Sequence, residues 1–148
     1  MTEPIKIIRD LDSLQGTCYV EIKPGKYTGE HWTKESIFFT DKTFTYFSSA
    51  IEKYYKKYSL WGMSEISRET WKLIVEELEN LKLFLMDNPK ADELKKHHIV
   101  FFYLDSTEKK FKENLNQNVS DLVQVISEFQ TWITEKSKNN EYISILGI

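Results

Sequence analysis

The chain has 148 residues, of which 41% are hydrophobic, 29% charged and 14% aromatic, and its formal net charge is -3. This hydrophobic content excludes a disordered chain, and the length is enough for a single domain, residues 1–148, with its own core. The negative charge argues against a sequence-independent nucleic-acid binder, whose affinity would come from Lys and Arg on phosphates.

The compartment follows from cysteine use and from the absence of targeting patterns. Cys18 is the only cysteine, so nothing indicates a disulfide framework or an oxidising compartment. No basic region followed by an apolar run opens the chain, so we expect no signal peptide. The longest nearly uncharged apolar stretch, residues 99–104, is far shorter than the roughly 20 residues that span a bilayer. We therefore expect a cytoplasmic protein that does not enter a membrane.

Three short segments in the N-terminal third have the composition of strands. Residues 5–7, 18–22 and 36–40 mix β-branched and aromatic side chains in partial alternation. The second segment is followed by a Pro-Gly pair, which is a strong turn signal. The three segments predict a small antiparallel sheet at the N-terminus.

A helical pattern begins after this predicted sheet. Apolar residues recur at steps of three and four, the spacing of one helix face; they are Phe44, Phe47, Ile51, Tyr54, Tyr55 and Tyr58. Asp41 stands where an N-cap belongs, and Gly62 offers a stop after a Trp61-Gly62 hinge. The opposite face carries Glu52, Lys53, Lys56 and Lys57. The pattern predicts one helix across the sheet with its basic side in water.

A second helix is the clearest prediction in the chain. Ser67 is its predicted N-cap, and Glu69 lies in its first turn, where the helix dipole favours an anion. The helix must end near Asn88-Pro89, because proline disfavours helical geometry in the residue before it. Its apolar stripe consists of Trp71, Ile74, Val75, Leu78, Leu81 and Leu85.

The C-terminal half contains one ambiguous segment and one clear helix. Residues 91–114 have helical spacing at Leu94, His97, Phe101 and Leu104, yet residues 99–103 would also form a buried strand. The flanking sequences favour helix. A final helix, with polar residues such as Gln130 off its apolar face, is predicted from residue 115 to about Lys136. The apolar residues 142–148 should return as a last strand or dock against the helices.

Together these elements predict an α+β fold, in which a small antiparallel N-terminal sheet packs against about four helices, with a short C-terminal strand. The four tryptophans, Trp32, Trp61, Trp71 and Trp132, are predicted to be core or boundary residues.

Catalytic and metal-binding motifs are not evident in the sequence. The three histidines are His31, His97 and His98, and the last two are adjacent, so they cannot form the i, i+4 pair that binds zinc. No glycine-rich phosphate loop or Cys-x-x-Cys pair occurs. Neighbouring carboxylates such as Glu76-Glu77 are typical of a solvated helix surface. The sequence therefore predicts no metal, no cofactor and no enzyme activity.

The uneven distribution of charge points instead to a partner. Residues 64–93 hold eight acidic and four basic side chains. Helical periodicity places Glu65, Glu69, Glu76 and Glu79 in one sector, and Asp87 follows near the end of the same helix. Such a surface would steer a basic partner toward the protein, although an ordinary solubilising face is the alternative. These five carboxylates are the predicted partner-binding residues.

The order of several packing residues resembles a known group of proteins. It is carried by Trp32, Ser36-Ile37, Phe44, Phe47, Tyr58, Trp61-Gly62, Ile66-Ser67, Trp71, Asn114, Asn118, Leu122, Ile126, Trp132 and the terminal residues 143–148. This order is similar to that of bacterial immunity proteins encoded beside polymorphic or contact-dependent toxins. The resemblance implies a cytosolic, non-enzymatic protein that binds and neutralises a cognate toxin domain, often a nuclease. Because the toxin-facing surface varies within such families, no binding residue is transferred from the resemblance.

Two other functional classes remain open on sequence grounds. One is a small enzyme whose site is built from unremarkable residues such as His31, Glu35 and Tyr54. The other is an adaptor subunit of a larger bacterial assembly. Under the immunity hypothesis we expect the free protein to be a monomer, with no direct contact to nucleic acid.

Overall fold

An antiparallel sheet lies at the centre of the fold. The computed structural model describes residues 4–16, 18–102 and 105–147. Its strands are β1 (Tyr19–Pro24), β2 (Ile37–Thr40), β3 (Met63–Ser67) and β4 (Tyr142–Leu146). They form a four-stranded sheet in the order β2-β1-β4-β3, with every neighbouring pair antiparallel. The C-terminal strand therefore pairs on both sides, and the predicted α+β class is confirmed.

The membership of the sheet differs from the prediction. Residues 5–7 form no strand; Ile8 alone pairs with Phe38, as an isolated bridge on the outer edge of β2. The sequence missed β3, which lies just after the predicted Trp61-Gly62 hinge. Its partner β4 begins 75 residues after the end of β3, so no local pattern reveals the pairing. Of the two predictions for the C-terminal segment, the strand is confirmed.

The helices pack mainly on one face of the sheet. They are α1 (Asp41–Tyr46), α2 (Ser48–Tyr54), α3 (Arg68–Met86), α4 (Asp105–Glu113) and α5 (Leu115–Ser137), with short 3-10 turns at Leu11–Ser13, Ala91–Glu93 and Lys95–His97. Among the residues that the structure describes, no helix combines the length and apolar character needed to cross a bilayer.

The first predicted helix is broken in two. Thr40, not Asp41, is the N-cap, and its hydroxyl accepts a hydrogen bond from the Thr43 N–H at 3.2 Å. The Thr45 hydroxyl donates to the Asp41 carbonyl at 2.7 Å and the Ser48 hydroxyl donates to the Thr45 carbonyl at 3.0 Å. Hydroxyls that bond to the backbone in this way bend helices, which accounts for the break between α1 and α2.

The end of this segment also differs from the prediction. Because α2 ends at Tyr54, Lys56 and Lys57 lie beyond it. The Tyr54 side chain is exposed rather than buried, whereas Phe44 and Phe47 are fully buried as predicted. The helical spacing therefore identified the buried aromatic residues Phe44 and Phe47 but extended the helix too far.

The prediction for α3 is confirmed at both ends. The Ser67 hydroxyl accepts a hydrogen bond from the Thr70 N–H at 3.3 Å, and the helix ends before Asn88-Pro89. Its buried residues are Trp71, Ile74, Leu78, Leu81 and Leu85. The Trp71 indole N–H donates to the Ile143 carbonyl at 3.0 Å, so α3 is tied to the central strand β4.

The remaining C-terminal predictions are confirmed in part. Residues 91–113 contain the two short 3-10 turns and α4, whereas residues 99–102 form neither helix nor strand, and Leu104 lies outside the described residues. Helix α5 ends one residue after the predicted Lys136. Gln130 is buried rather than exposed, because its amide donates to the Val75 carbonyl at 3.2 Å and to Glu79 at 3.1 Å.

An aromatic cluster joins the sheet to the helices. Phe129 of α5 lies 5.1 Å from Phe39 of β2 and 5.9 Å from Trp71 of α3, measured between ring centroids in edge-to-face geometry. Phe44 and Phe47 pack against the same rings. Edge-to-face pairs of this kind add stability beyond the burial of their apolar surface. The cluster holds α3 and α5 in fixed positions relative to the sheet.

Candidate functional site

The five predicted partner-binding carboxylates fall into two groups. Glu65 lies on β3 rather than on the helix, and it accepts a hydrogen bond from the Tyr27 backbone N–H at 2.9 Å. Glu79 accepts from the Lys82 ammonium at 2.9 Å and from the Gln130 amide at 3.1 Å. The hydrogen bond from Lys82, followed by that from Gln130, lowers the pKa of Glu79. Both carboxylates are thus used within the fold.

The other three carboxylates are exposed on α3 or at its end. Glu69, Glu76 and Asp87 make neither an ion pair nor a side-chain hydrogen bond in the described part of the chain. Their spacing of seven and eleven residues returns to nearly the same side of a helix. The predicted acidic surface is therefore smaller than the sequence suggests, and it lies on α3 alone.

Apolar residues lie between these carboxylates. Leu73 is 43% exposed and Leu83 is 55% exposed, and Met86 beside them is 61% exposed. We call the exposed side of the helix the α3 stripe, defined as Glu69, Leu73, Glu76, Asn80, Leu83 and Asp87. A stripe that alternates leucine with free carboxylates offers both apolar contact area and negative charge to a partner.

The sequence predicted the acidic half of this stripe and missed the apolar half. Leu73 and Leu83 lie out of phase with the buried positions Ile74, Leu78, Leu81 and Leu85. That phase difference, read with a period of 3.6 residues, is the signal that could have identified them.

An ion pair borders the stripe. The Lys53 ammonium lies 3.0 Å from a carboxylate oxygen of Glu77, and the Asn80 side-chain amide donates to the other oxygen at 3.1 Å. These contacts lower the pKa of Glu77, with the Asn80 hydrogen bond as the largest cause. Lys53 is exposed, as predicted, and it also links α2 to α3 through this ion pair.

A cleft of about 630 Å³ lies between α2, α3 and the turn at Lys95–His97. The His97 ring stacks on Phe84 with 3.9 Å between ring centroids, and His98 also lines the cleft. Neither imidazole forms a hydrogen bond within the described residues. The cleft therefore does not present a nucleophile bonded to a base, the arrangement that nucleophilic catalysis requires.

Tyr58 also lines this cleft. Its hydroxyl is buried and has no hydrogen-bond partner among the described residues. Burial, and secondarily the nearby Glu52 carboxylate, raise the pKa of Tyr58. The group is therefore a neutral donor whose hydrogen bond is not made.

The three residues suggested for a small enzyme, His31, Glu35 and Tyr54, do not line a common cleft in the part of the chain that the structure describes. His31 and Glu35 lie in the loop between β1 and β2, and Tyr54 lies at the end of α2. The His31 ring is 3.1 Å from the Tyr27 hydroxyl, and none of the three predicted residues lines the cleft. Across the described ranges, no group of three or more His, Cys, Asp or Glu side chains is arranged to hold a metal ion.

The tryptophan and cysteine predictions have different outcomes. Trp71 and Trp132 are buried, whereas Trp61 and Trp32 are exposed, by 65% and 38% respectively. Cys18 is exposed and free. The exposed Trp61 adjoins β3, so the sequence, which expected a core or boundary residue there, missed a surface feature.

Comparison with known proteins gives no further assignment of these residues. No family model matches the chain. No curated protein matches it significantly, and no solved structure does so.

Proposed function

We propose that this chain is a cytoplasmic, non-enzymatic immunity protein. It binds a cognate bacterial toxin domain, a basic nuclease, and blocks the active site of that domain. The observation that carries the proposal is the α3 stripe, in which free carboxylates alternate with exposed leucines on a helix anchored in the core. The resemblance of the packing residues to immunity proteins favours this functional class over the adaptor alternative.

The rigidity of α3 supports tight binding. Ser67 caps its first turn, Trp71 bonds to the central strand, and Gln130 of α5 bonds to the Val75 carbonyl. A surface on a fixed helix loses little conformational entropy when a partner docks. Less of the contact energy is therefore lost to ordering this surface.

The charges of the stripe support a basic partner. Since Glu69, Glu76 and Asp87 have no ion pair in the described residues, a partner's cations need not displace an internal one. Nucleases bind a polyanion and present basic residues around the scissile phosphate. A negatively charged surface would increase the association rate with such a domain and occupy the place of its substrate.

The leucines support affinity and specificity. Charge complementarity at exposed positions strengthens binding mainly by raising the association rate at low salt. Leu73 and Leu83, once covered, would supply the desolvated centre that such an interface needs.

The proposal is tested by expressing this chain with the toxin domain encoded by the neighbouring gene. We expect growth rescue and a stable complex in purification. One stripe variant replaces the two leucines by alanine (Leu73→Ala, Leu83→Ala) and should lose rescue. Its matched control replaces the exposed Val100 by alanine, outside the stripe, and should keep rescue. Absence of binding and of rescue with the wild-type chain would refute the proposal.

A further inference from the structure

The two edge strands of the sheet, β2 and β3, differ in whether their outward backbone groups are hydrogen-bonded. On the outer edge of β2, the Ile8 N–H donates to the Phe38 carbonyl and the Phe38 N–H donates to the Ile8 carbonyl, both at 2.8 Å. The N-terminal segment thus covers this edge with backbone hydrogen bonds. At the opposite edge, β3 pairs with β4 on one side and with no described strand on the other.

The hydrogen bonds at the two ends of β3 determine which of its backbone groups are free. The Gly147 N–H donates to the Gly62 carbonyl at 2.8 Å, and the Arg68 N–H donates to the Glu141 carbonyl at 2.7 Å. In an antiparallel ladder the residues that bond to the neighbouring strand alternate. Residues 64 and 66 therefore face β4, while the N–H and C=O groups of Met63 and Glu65 point away from the sheet.

These outward groups are unpaired within the part of the chain that the structure describes. They recur every second residue, and only another extended backbone offers donors and acceptors at that spacing. The edge of β3 therefore binds an extended peptide segment in preference to a helix or a small molecule.

The side chains around this edge do not block it. Native edge strands are usually protected by lysine, proline or a bulge. The five residues of β3 include no lysine and no proline. Trp61 is 65% exposed and Met63 is 49% exposed. Glu65 is half-buried and accepts a hydrogen bond from the Tyr27 N–H. Among the residues that the structure describes, no cation forms an ion pair with its carboxylate. The edge is open, apolar at one end and negatively charged at its centre.

We propose that β3 accepts an extended segment of the partner protein as a fifth strand of the sheet. The inference rests on the proposed function only for the identity of that partner. Met63 and Glu65 present their side chains on the same face of the sheet, because they are two residues apart. The inserted strand therefore carries an apolar side chain opposite Met63 and Lys or Arg opposite Glu65.

A second copy of this chain fits the edge less well. In the register with the longest overlap, a symmetric pair of β3 strands places Glu65 opposite Glu65 of the second copy. Like charges directly opposite one another on the same face destabilise an antiparallel pair. The edge thus selects a basic strand from a different protein.

The test uses a synthetic probe, so it does not depend on finding the toxin. The probe is a capped seven-residue peptide that alternates threonine with leucine, lysine and valine. We measure amide hydrogen exchange of Met63 and Glu65 by NMR as the peptide is added. At about four times the dissociation constant, exchange at both amides should slow about fivefold, because only the free protein exchanges.

Two controls make this a test of backbone pairing. A peptide with N-methyl groups at alternate residues cannot form the ladder and should give no protection. Met63→Pro removes one outward N–H and should abolish protection at Glu65, whereas Met63→Ala keeps the N–H and should retain it. The N-methyl control uses the wild-type protein, so the result stands even if the proline variant does not fold.

Two outcomes would overturn the inference. One is that the amides of Met63 and Glu65 exchange as fast as in the free protein even when the peptide is added up to its solubility limit. The other is concentration-dependent dimerisation of the free protein that Met63→Pro abolishes, since the occupant would then be a second copy. The double variant Leu73→Ala, Leu83→Ala should leave peptide protection unchanged. Absence of toxin rescue by the wild-type chain, together with intact peptide protection, would count against the proposed function and not against the β3 edge.

Discussion

The carboxylate of Glu21 accepts a hydrogen bond from the backbone N–H of Trp32 at 2.7 Å. Glu21 lies on β1 and is only 1% exposed; it also accepts from the Thr33 N–H at 3.2 Å and the Ser36 hydroxyl at 2.7 Å. Trp32 has a φ of 60°, which is rare for a residue other than glycine. The buried carboxylate therefore holds the loop between β1 and β2 in a strained conformation over the outer face of the sheet.

Glu21→Ala should lower the free energy of unfolding by about 2–3 kcal/mol, because it leaves several loop donors without an acceptor. Glu30→Ala, in the same loop but exposed, should change it by less than about 0.5 kcal/mol. Urea denaturation measures both. Equal effects of the two variants would show that Glu21 does not anchor the loop.

Two glycines beside β3 should respond differently to alanine. A Cβ at Gly147 would lie 2.1 Å from the Leu60 carbonyl oxygen, whereas a Cβ at Gly62 would have its nearest neighbour at 3.7 Å. Gly147→Ala should destabilise by at least about 2 kcal/mol, because the obstructing atoms belong to the backbone. Gly62→Ala should cost less than about 1 kcal/mol. Thermal unfolding of the two variants gives the comparison, and similar values would contradict the close approach of β4 to residues 60–62.

Removal of the buried Tyr58 hydroxyl should not destabilise the protein. The hydroxyl has no hydrogen-bond partner among the described residues, so Tyr58→Phe should be neutral or stabilising by up to about 1 kcal/mol. Tyr19→Phe is the matched control, since the Tyr19 hydroxyl accepts from the Gln15 N–H at 2.7 Å and donates to the Gln15 carbonyl at 2.9 Å. That control should be destabilising. A loss of stability in Tyr58→Phe larger than in the control would contradict the unpaired state of the hydroxyl.

The contacts of Glu77 predict a pH dependence of stability. Its pKa is lowered by the Asn80 hydrogen bond and by Lys53. A carboxyl whose pKa is lowered on folding stabilises the protein above its unfolded pKa of about 4.3, and this contribution is lost as the pH falls through the lowered folded pKa. Glu77→Gln should therefore be less stable than wild type at pH 7, and the difference should shrink below about pH 4.

Urea denaturation at several pH values measures this difference. The matched control is Glu76→Gln, which removes the same charge from a position with no hydrogen-bond partner in the described residues. A constant difference between wild type and Glu77→Gln across the whole pH range would contradict the prediction.

Local patterns predicted the helices better than the sheet. The N-cap at Ser67 and the buried positions of α3 and α5 depend on residues close together in sequence, so periodicity was sufficient. The pairings of β4 with β1 and β3 join residues up to 120 or more positions apart, as between Glu21 and Leu146. No local signal distinguishes them from other apolar runs.

The prediction of the candidate surfaces was limited in the same way, because sequence patterns report only on residues close together in the chain. Helical spacing correctly placed Glu69 and Glu76 on an exposed side of α3. It could not show that Glu79 is held by Gln130 of α5, or that Glu65 lies on a strand edge. Both facts depend on contacts between distant elements, which is why the free carboxylates and the open edge emerge only in the folded chain.

The most direct test of the proposed function is a titration of the cognate toxin domain into two charge variants of equal net charge. One replaces Glu69→Gln, Glu76→Gln and Asp87→Asn in the α3 stripe; the other replaces the exposed Glu30, Glu35 and Glu113 by glutamine. Calorimetry at low salt should show about 10- to 100-fold weaker binding for the stripe variant and less than about twofold for the control. Equal affinity of the two variants would contradict the claim that the α3 stripe meets the toxin.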